Sequence, residues 1–398
     1  MKYYLLVIDR VRTGGAERIL IDYYNYLIKC GHKVDIYVLY REATSSPWLD
    51  NLRVTYGSNK EVGASMASKL FTHIKIYARL ITKINRGKYD VLFTFLEKSN
   101  ILSYLSNFKG VKHVCTVHNV LSIQYLKIAN PTIKKIWVKA ISSIYNSDKI
   151  TIVAVSEQVK TDLINNFDVD GKNIFVVNNF VDSHAIHMKS REEVTEFNFY
   201  DDVSYAINVG RLSDQKNQAS LLYAYSQYLN DNPIGNKIHL LIMGEGENEG
   251  YLRQRIKELK LDEKVSIIDF QVNPYKFLAQ CKLLVLSSKF EGFPIVIAET
   301  RSLGIPFCGT HYSIPEEMFT DSSAYDMCTF PDLYERDGVA KFKLILNNVF
   351  STGTFSEELL AATSEWNSHN DKEYQFKQYC EISINESIYK ENNKYLQG

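Results

Sequence analysis

The chain has 398 residues, too many for one ordinary hydrophobic core and in the range of two domains. At 45% hydrophobic and 23% charged it reads as a globular protein, and no stretch approaches the roughly 18 uninterrupted apolar residues of a membrane span. Net charge is zero, yet residues 1–190 carry 26 Lys and Arg against 15 Asp and Glu, and the remainder carries 20 against 31. That asymmetry is either ordinary surface variation or the mark of a basic first half that meets an anionic surface, such as phospholipid headgroups or a pyrophosphate-linked lipid.

Short strand-like runs alternate with longer amphipathic stretches, the pattern of a parallel sheet covered by helices. MKYYLLVIDR opens as a buried strand and not as a signal peptide, because Asp9 and Arg10 end its short apolar run; a cytoplasmic chain is expected. In RVRTGGAERIL, Gly14 and Gly15 would let the backbone approach a ligand before a helix starting near Ala16, with Arg12 and Arg18 adding positive charge. A plain strand–helix turn is the alternative. The helix AERILIDYYNYLIKC should stop at Gly31.

The strands KVDIYVLY, VLFTFL, KHVCTVH, ITIVAVS and NIFVVNN follow. His118 and Asn119 lie just beyond one strand end, as structural residues or as contacts to hydroxyl groups. TIKKIWVKAISSIY, with Lys134, Lys135, Trp137 and Lys139, suits either a helix lying in a membrane interface or an ordinary helix with a basic outer face. Ser156 before Glu157 reads as a helix cap.

Residues 182–202 are polar, charged and aperiodic, and are the best linker candidate. A second series then begins: SYAINVG, KIHLLIMG, VSIIDF, KLLVLSS, IPFCGT. A final helix is expected from about Asp371 to Tyr389. The organisation is therefore α/β, with Rossmann-like domains at 1–185 and 200–370 facing each other across a deep cleft. Residues 371–398 would pack back on the first domain, and ligands would bind at the carboxyl ends of the strands. The six cysteines are far apart, without a C-x-x-C pair, so neither a disulfide framework nor a zinc site is expected.

Two segments of the second half carry the chemistry. In INVGRLSDQKNQASLL a strand ends at Gly210, and Arg211 and Lys216 flank the loop before a helix near Gln218. Two such cations could hold a diphosphate in place of a divalent metal, or could simply be solvated. In KFEGFPIVIAETRSLGIPF, Glu291 precedes a helix that Pro294 would start, and Glu299 lies inside it. The N–H groups of Phe293 and Ile295 at that helix start form an anion site, and the two carboxylates suit sugar hydroxyls. Two solvated surface glutamates are the plain alternative.

Together these segments resemble glycosyltransferase family 4, retaining GT-B enzymes that include many bacterial polysaccharide and lipid-sugar transferases. GGAER, VSE, GR…QKN, MGEGE, NPY and EGFP…AE…LGIP occur in order over most of the chain. The resemblance implies that Arg211 and Lys216 bind the diphosphate of a nucleotide-sugar donor and that Glu299 holds the ribose. Glu291 would lie at the donor sugar, with Gly292, Phe293, Pro294 and Ile295 contacting sugar and phosphates, and Gly15 would allow a close approach. His118 would sit near the transferred sugar, and Gly14, Arg18 and Asn119 on the acceptor side.

It further implies a hexosyltransferase without metal or other cofactor, moving a sugar, from UDP first and GDP next, onto a glycan or lipid-linked oligosaccharide. That acceptor would belong to capsule or O-antigen synthesis at the inner face of the cytoplasmic membrane, with peripheral membrane contact through the basic first domain and no nucleic-acid partner. An epimerase on the same architecture or a non-catalytic nucleotide-sugar-binding subunit are the alternatives. Two departures stand out: CGTHYSIPEEM replaces a Gly-Gly turn at Thr310–Ser313, and the helix reads ETRSLG where EAMALG is common, with Arg301 adding a cation or facing solvent.

Overall fold

The computed structural model describes residues 1–11, 14–41, 49, 52–58, 66–125, 128, 130–231, 237–319, 322–351, 361 and 372–384. It divides into two compact units, one of Met1–Asn179 with Glu373–Gly398 and one of Phe180–Lys372.

The first unit is built on strands β1 (Tyr3–Ile8), β2 (Lys33–Tyr40), β3 (Val54–Ser58), β4 (Val91–Phe95), β5 (Lys112–Val117), β6 (Ile150–Ala154) and β7 (Ile174–Val176). They form one sheet in the order β3-β2-β1-β4-β5-β6-β7, with every pairing parallel. Helices cover both faces of such a sheet, which is why its strands read as near-continuous apolar runs; β1 is buried from Tyr4 to Ile8. The helices are α1 (Gly15–Lys29), α2 (Met66–Arg86), α3 (Glu97–Ser106), α4 (Leu121–Tyr125), α5 (Pro131–Tyr145) and α6 (Glu157–Phe167). Gly31 sits at φ +78° just past α1, the left-handed position that ends a helix. Ser156 caps α6 by accepting from Val159 N at 3.1 Å.

The second unit carries α7 (Ser183–Ser190), β8 (Ser204–Val209), α8 (Gln218–Asp231), β9 (Ile238–Met243), α9 (Glu249–Glu258), β10 (Val265–Ile268) and α10 (Tyr275–Leu278). It continues through β11 (Leu283–Leu286), α11 (Ile295–Ser302), β12 (Phe307–Thr310), α12 (Ser322–Cys328), β13 (Thr329–Phe330) and α13 (Arg336–Ser351). Its sheet order is β10-β9-β8-β11-β12-β13, again parallel throughout. In each unit the chain winds outward one way and then the other. The order therefore reverses between β1 and β4 in the first sheet and between β8 and β11 in the second. Diverging loops open a crevice at such points, beyond the carboxyl ends of the strands.

One stretch differs from expectation. Residues 182–202 are not a connector between units. The second unit already begins at Phe180, and Asp182 caps α7 by accepting from Ala185 N at 2.9 Å while Ile186 is fully buried. One buried apolar side chain in eight residues leaves no readable period. The last helix, α14 (Lys372–Ile384), belongs to the first unit from Glu373 onward. Phe376, Tyr379 and Ile382 are buried on it, and Tyr23 of α1 meets the rings of Phe376 and Tyr379 at 5.7 and 5.4 Å.

Candidate functional site

In the second unit the loops after β8 and β11 meet at the reversal of strand order. The first loop is held low by glycines of the turn after β9. Gly244 stands at φ +151°, and a Cβ there would lie 2.0 Å from the Gly210 carbonyl oxygen; one on Gly246 would lie 2.3 Å from that of Leu212. Backbone bonds from Gly210 N to Met243 O and from Leu212 N to Glu245 O, at 3.0 and 2.9 Å, lock the two turns together. Only glycine permits that approach.

Lys216 folds back over Gly210 and its ammonium donates to Glu291 Oε1 at 2.5 Å, an ion pair across 75 residues of sequence. Ser288 Oγ donates to the same oxygen at 2.5 Å. The loops are further sewn together by Ser287 Oγ to Lys216 O (2.8 Å), Lys289 N to Gln215 O (2.8 Å) and Gln215 Nε2 to Phe290 O (3.1 Å). The turn that departs from the family pattern serves as a clamp. Glu291 N donates to Tyr312 O at 3.1 Å and Thr310 Oγ1 to Ser288 O at 2.6 Å.

Glu291 and Glu299 are 7% and 5% exposed, so neither is a solvated surface glutamate. Glu299 lies inside α11 and accepts from the Tyr275 hydroxyl at 3.0 Å. Gly292, Phe293, Pro294 and Ile295 are buried in the approach to α11, whose start carries no side-chain cap. Arg211 is half-buried; its carbonyl accepts from Gln218 Nε2 at 3.0 Å, and no described residue bonds to its guanidinium. One free cation, one paired cation and an uncapped helix start thus surround the strand-order reversal, a constellation suited to an anion that carries hydroxyl groups. Arg301 neither faces solvent nor enters this site. It is 5% exposed, donates to Met318 O at 3.2 Å and lies over the Phe307 ring, and burial lowers its pKa to about 10.

The remaining candidates lie in the first unit. Gly14 is the extended residue before α1 and Gly15 its exposed first residue. Arg18 approaches Asp22 at 3.9 Å one turn on, Asn119 is half-buried, and Arg12 lies outside the described residues. His118 follows β5, is 7% exposed and stacks on Phe95 with ring centroids 5.8 Å apart. Its Nε2 lies 2.9 Å from Thr116 Oγ1, and that hydroxyl donates to Thr94 O at 2.8 Å. The Thr116 proton being committed, Nε2–H must donate to Oγ1, which leaves Nδ1 as the acceptor nitrogen. Burial lowers the His118 pKa to about 4, so the ring is neutral near pH 7.

The sequence points to Thr310 only as part of a departing turn, and to Ser288 and Tyr275 not by number. Tyr275 stands in the NPY element, a usable signal; the two hydroxyls act only through contacts that spacing does not reveal.

Comparison with known proteins agrees with this architecture. Residues 13–185 match the family described as Glycosyltransferase Family 4, and residues 189–328 match Glycosyl transferases group 1. Both matches, which together take in most of the chain, are to glycosyltransferase families.

A Campylobacter jejuni relative, N-acetylgalactosamine-N,N'-diacetylbacillosaminyl-diphospho-undecaprenol 4-alpha-N-acetylgalactosaminyltransferase, is 30% identical over 236 residues. The match takes in 58% of this chain and 60% of that protein, so the chain spans less than two thirds of this relative's length. The amylovoran biosynthesis glycosyltransferase AmsD of Erwinia amylovora is 27% identical over 76% of this chain and 79% of its own. In fold, this glycosyltransferase is similar to Anabaena Alr3699/HepE, crystallised in complex with UDP and glucose. The TM-score is 0.75 at 16% identity, covering 96% of this chain and 99% of that one.

Proposed function

We propose that this glycosyltransferase moves a sugar, with retention of configuration, from a UDP-sugar to a glycan carried on a polyprenyl pyrophosphate, in the synthesis of a bacterial surface polysaccharide. The observation that carries the reading is the arrangement at the β8/β11 reversal. Arg211, unpaired among the described residues, and Lys216, paired with Glu291, stand beside the uncapped start of α11. In this reading the two cations take the pyrophosphate and offset the charge that grows on the departing nucleotide, a task a divalent ion performs elsewhere. Glu299, oriented by Tyr275, takes the ribose hydroxyls, and Glu291, oriented by Ser288, takes a hydroxyl of the donor sugar.

Support for UDP comes from the Anabaena structure, and support for an α-linked product on a diphospho-undecaprenol acceptor from the name of the Campylobacter relative. Both named relatives are transferases, which favours transfer over epimerisation. No helix among the described residues is long and apolar enough to cross a membrane. Membrane contact in this reading is peripheral, through the first two turns of α5, where Ile133, Ile136 and Trp137 are exposed beside Lys135 and Lys139.

The test is transfer from radiolabelled UDP-sugars to undecaprenyl-pyrophosphate-linked saccharides. Arg211→Ala should lower turnover by about 100-fold or more, and EDTA should leave the wild-type rate unchanged. A near-normal rate for the variant, or activity that returns only with added divalent ions, would contradict the reading.

A further inference from the structure

The first unit has its own reversal of strand order, between β1 and β4, and a carboxyl group there has no part in the reading above. β4 passes into α3 through a single residue. Leu96 stands at φ 73°, ψ 155°, a conformation costly for a residue with a side chain, and the turn sets Glu97 as the first residue of the helix. Glu97 is 5% exposed, and its Oε1 has no hydrogen-bond partner among the described residues.

Its neighbour Asp9, in the exit of β1, is satisfied: Ser99 N and Oγ donate to Asp9 Oδ1 at 2.8 and 2.6 Å. The fold has therefore met the needs of one carboxylate at this point and left the other open. A buried carboxyl oxygen without a donor weakens a fold, and the great majority of buried polar atoms have a partner. An unmet one beyond the carboxyl ends of parallel strands, at the place where such sheets open a crevice, marks a position for a ligand.

The chemistry around it narrows the class. Asp9 lies close enough for its charge to act on Glu97, so a phosphate or carboxylate at this point would meet the repulsion of Asp9. The cations nearby, Arg10 and Lys98, lie over the Tyr40 ring at 5.2 and 5.5 Å and act on Asp9, the carboxylate already satisfied. An uncharged group that donates hydrogen bonds is what remains, and a sugar hydroxyl is that group. His118, stacked on Phe95 two residues before Glu97, leaves a neutral acceptor nitrogen on the adjacent strand end. We infer that Glu97 is a specificity-determining residue whose Oε1 accepts a hydrogen bond from a hydroxyl of the acceptor sugar, in the first unit's own binding position. This rests on the transferase reading and adds to it the residue that recognises the acceptor.

The experiment measures KM for each substrate separately, using the full chain, UDP-sugars and a panel of undecaprenyl-pyrophosphate-linked N-acetylhexosamines. Glu97→Leu removes both acceptor oxygens at similar volume, and Glu97→Gln retains one. Thermal shift with UDP reports that each variant is folded with its nucleotide site intact. The expected result is an acceptor KM raised at least about tenfold in Glu97→Leu and less in Glu97→Gln, with donor KM within about twofold of wild type. An unchanged acceptor KM, or both KM values rising together, overturns the inference and leaves the transferase reading standing. Should Glu97→Leu fail to fold, Glu97→Gln decides alone, a rise of about threefold or more supporting the inference and no rise overturning it. A wild type that transfers to no member of the panel contradicts the transferase reading, and the inference falls with it.

Discussion

Arg211 and Lys216 are both cations of one loop, yet the structure gives them different standing. Lys216 neutralises a carboxylate that is 7% exposed, whereas Arg211 has no partner among the described residues. Removing Lys216 strands Glu291 with Ser288 alone, and breaking a largely buried pair in this way costs on the order of 3 kcal/mol. Lys216→Ala should therefore lower the melting temperature clearly while Arg211→Ala leaves it nearly unchanged, as scanning calorimetry would show. Equal stability losses would mean that the pairing is not what holds the loop. Buried groups of the first unit set the pH dependence. Burial raises the Glu97 carboxyl from 4.5 to about 7 and lowers His118 and His113 from 6.5 to about 4 and 3. Glu97 keeps its proton in the folded chain where the unfolded chain has lost it, so its contribution is full below pH 4.5 and declines as pH rises through 7. At about 1.4 kcal/mol per unit the loss is about 3 kcal/mol. The histidines act oppositely: their contribution is full above pH 6.5 and is lost as pH falls towards 4. Between pH 5 and 6.5 the two histidines outweigh Glu97, so urea titrations should show stability rising with pH in the wild type and rising more steeply in Glu97→Gln, where the opposing contribution is gone; identical profiles would contradict this account of Glu97.

Among the elements, α5 makes the sharpest separate claim. Asn130 caps it, accepting from Thr132 N and Ile133 N at 3.0 and 3.2 Å, so its first turns form without needing burial. Ile141, Ile144 and Tyr145 anchor its far end in the core, and the near end presents Ile136 and Trp137 at 62% and 37% exposure. Flotation with phosphatidylglycerol vesicles should recover the wild type, and Ile136→Ser with Trp137→Ser should reduce recovery several-fold. Undiminished recovery would assign the face to solvent. The strands were the legible elements, because buried parallel strands read as apolar runs whichever face is counted. The short α7 was not, since Ile186 is its one buried residue; nor was the one-residue turn before α3, because nothing in FLEKSN announces that Leu96 will take a positive φ.

At the scale of the whole chain, both sheets reverse strand order once, and buried glutamates stand at both reversals, Glu97 at one and Glu291 and Glu299 at the other. The site of the second unit could be read from sequence as residue types: GR…K and E-x7-E carry the charges. The partnership of Lys216 with Glu291 could not, because 75 residues separate them and only the sheet brings their strand ends together. The first unit is completed from the far end of the sequence by α14, whose Phe376, Tyr379 and Ile382 are buried. Side chains of that size contribute about 2 kcal/mol each when buried. Truncation after residue 371 should therefore lower the melting temperature strongly and yield a chain prone to aggregate; an unchanged melting temperature would show that α14 is dispensable. The central claim is that the second unit's own cations hold the pyrophosphate of the donor. Titration calorimetry of UDP and of uridine against wild type and Arg211→Ala tests it most directly. UDP affinity should fall about tenfold or more in the variant while uridine affinity stays the same. UDP binding that is indifferent to Arg211, or a parallel loss for uridine, would contradict it.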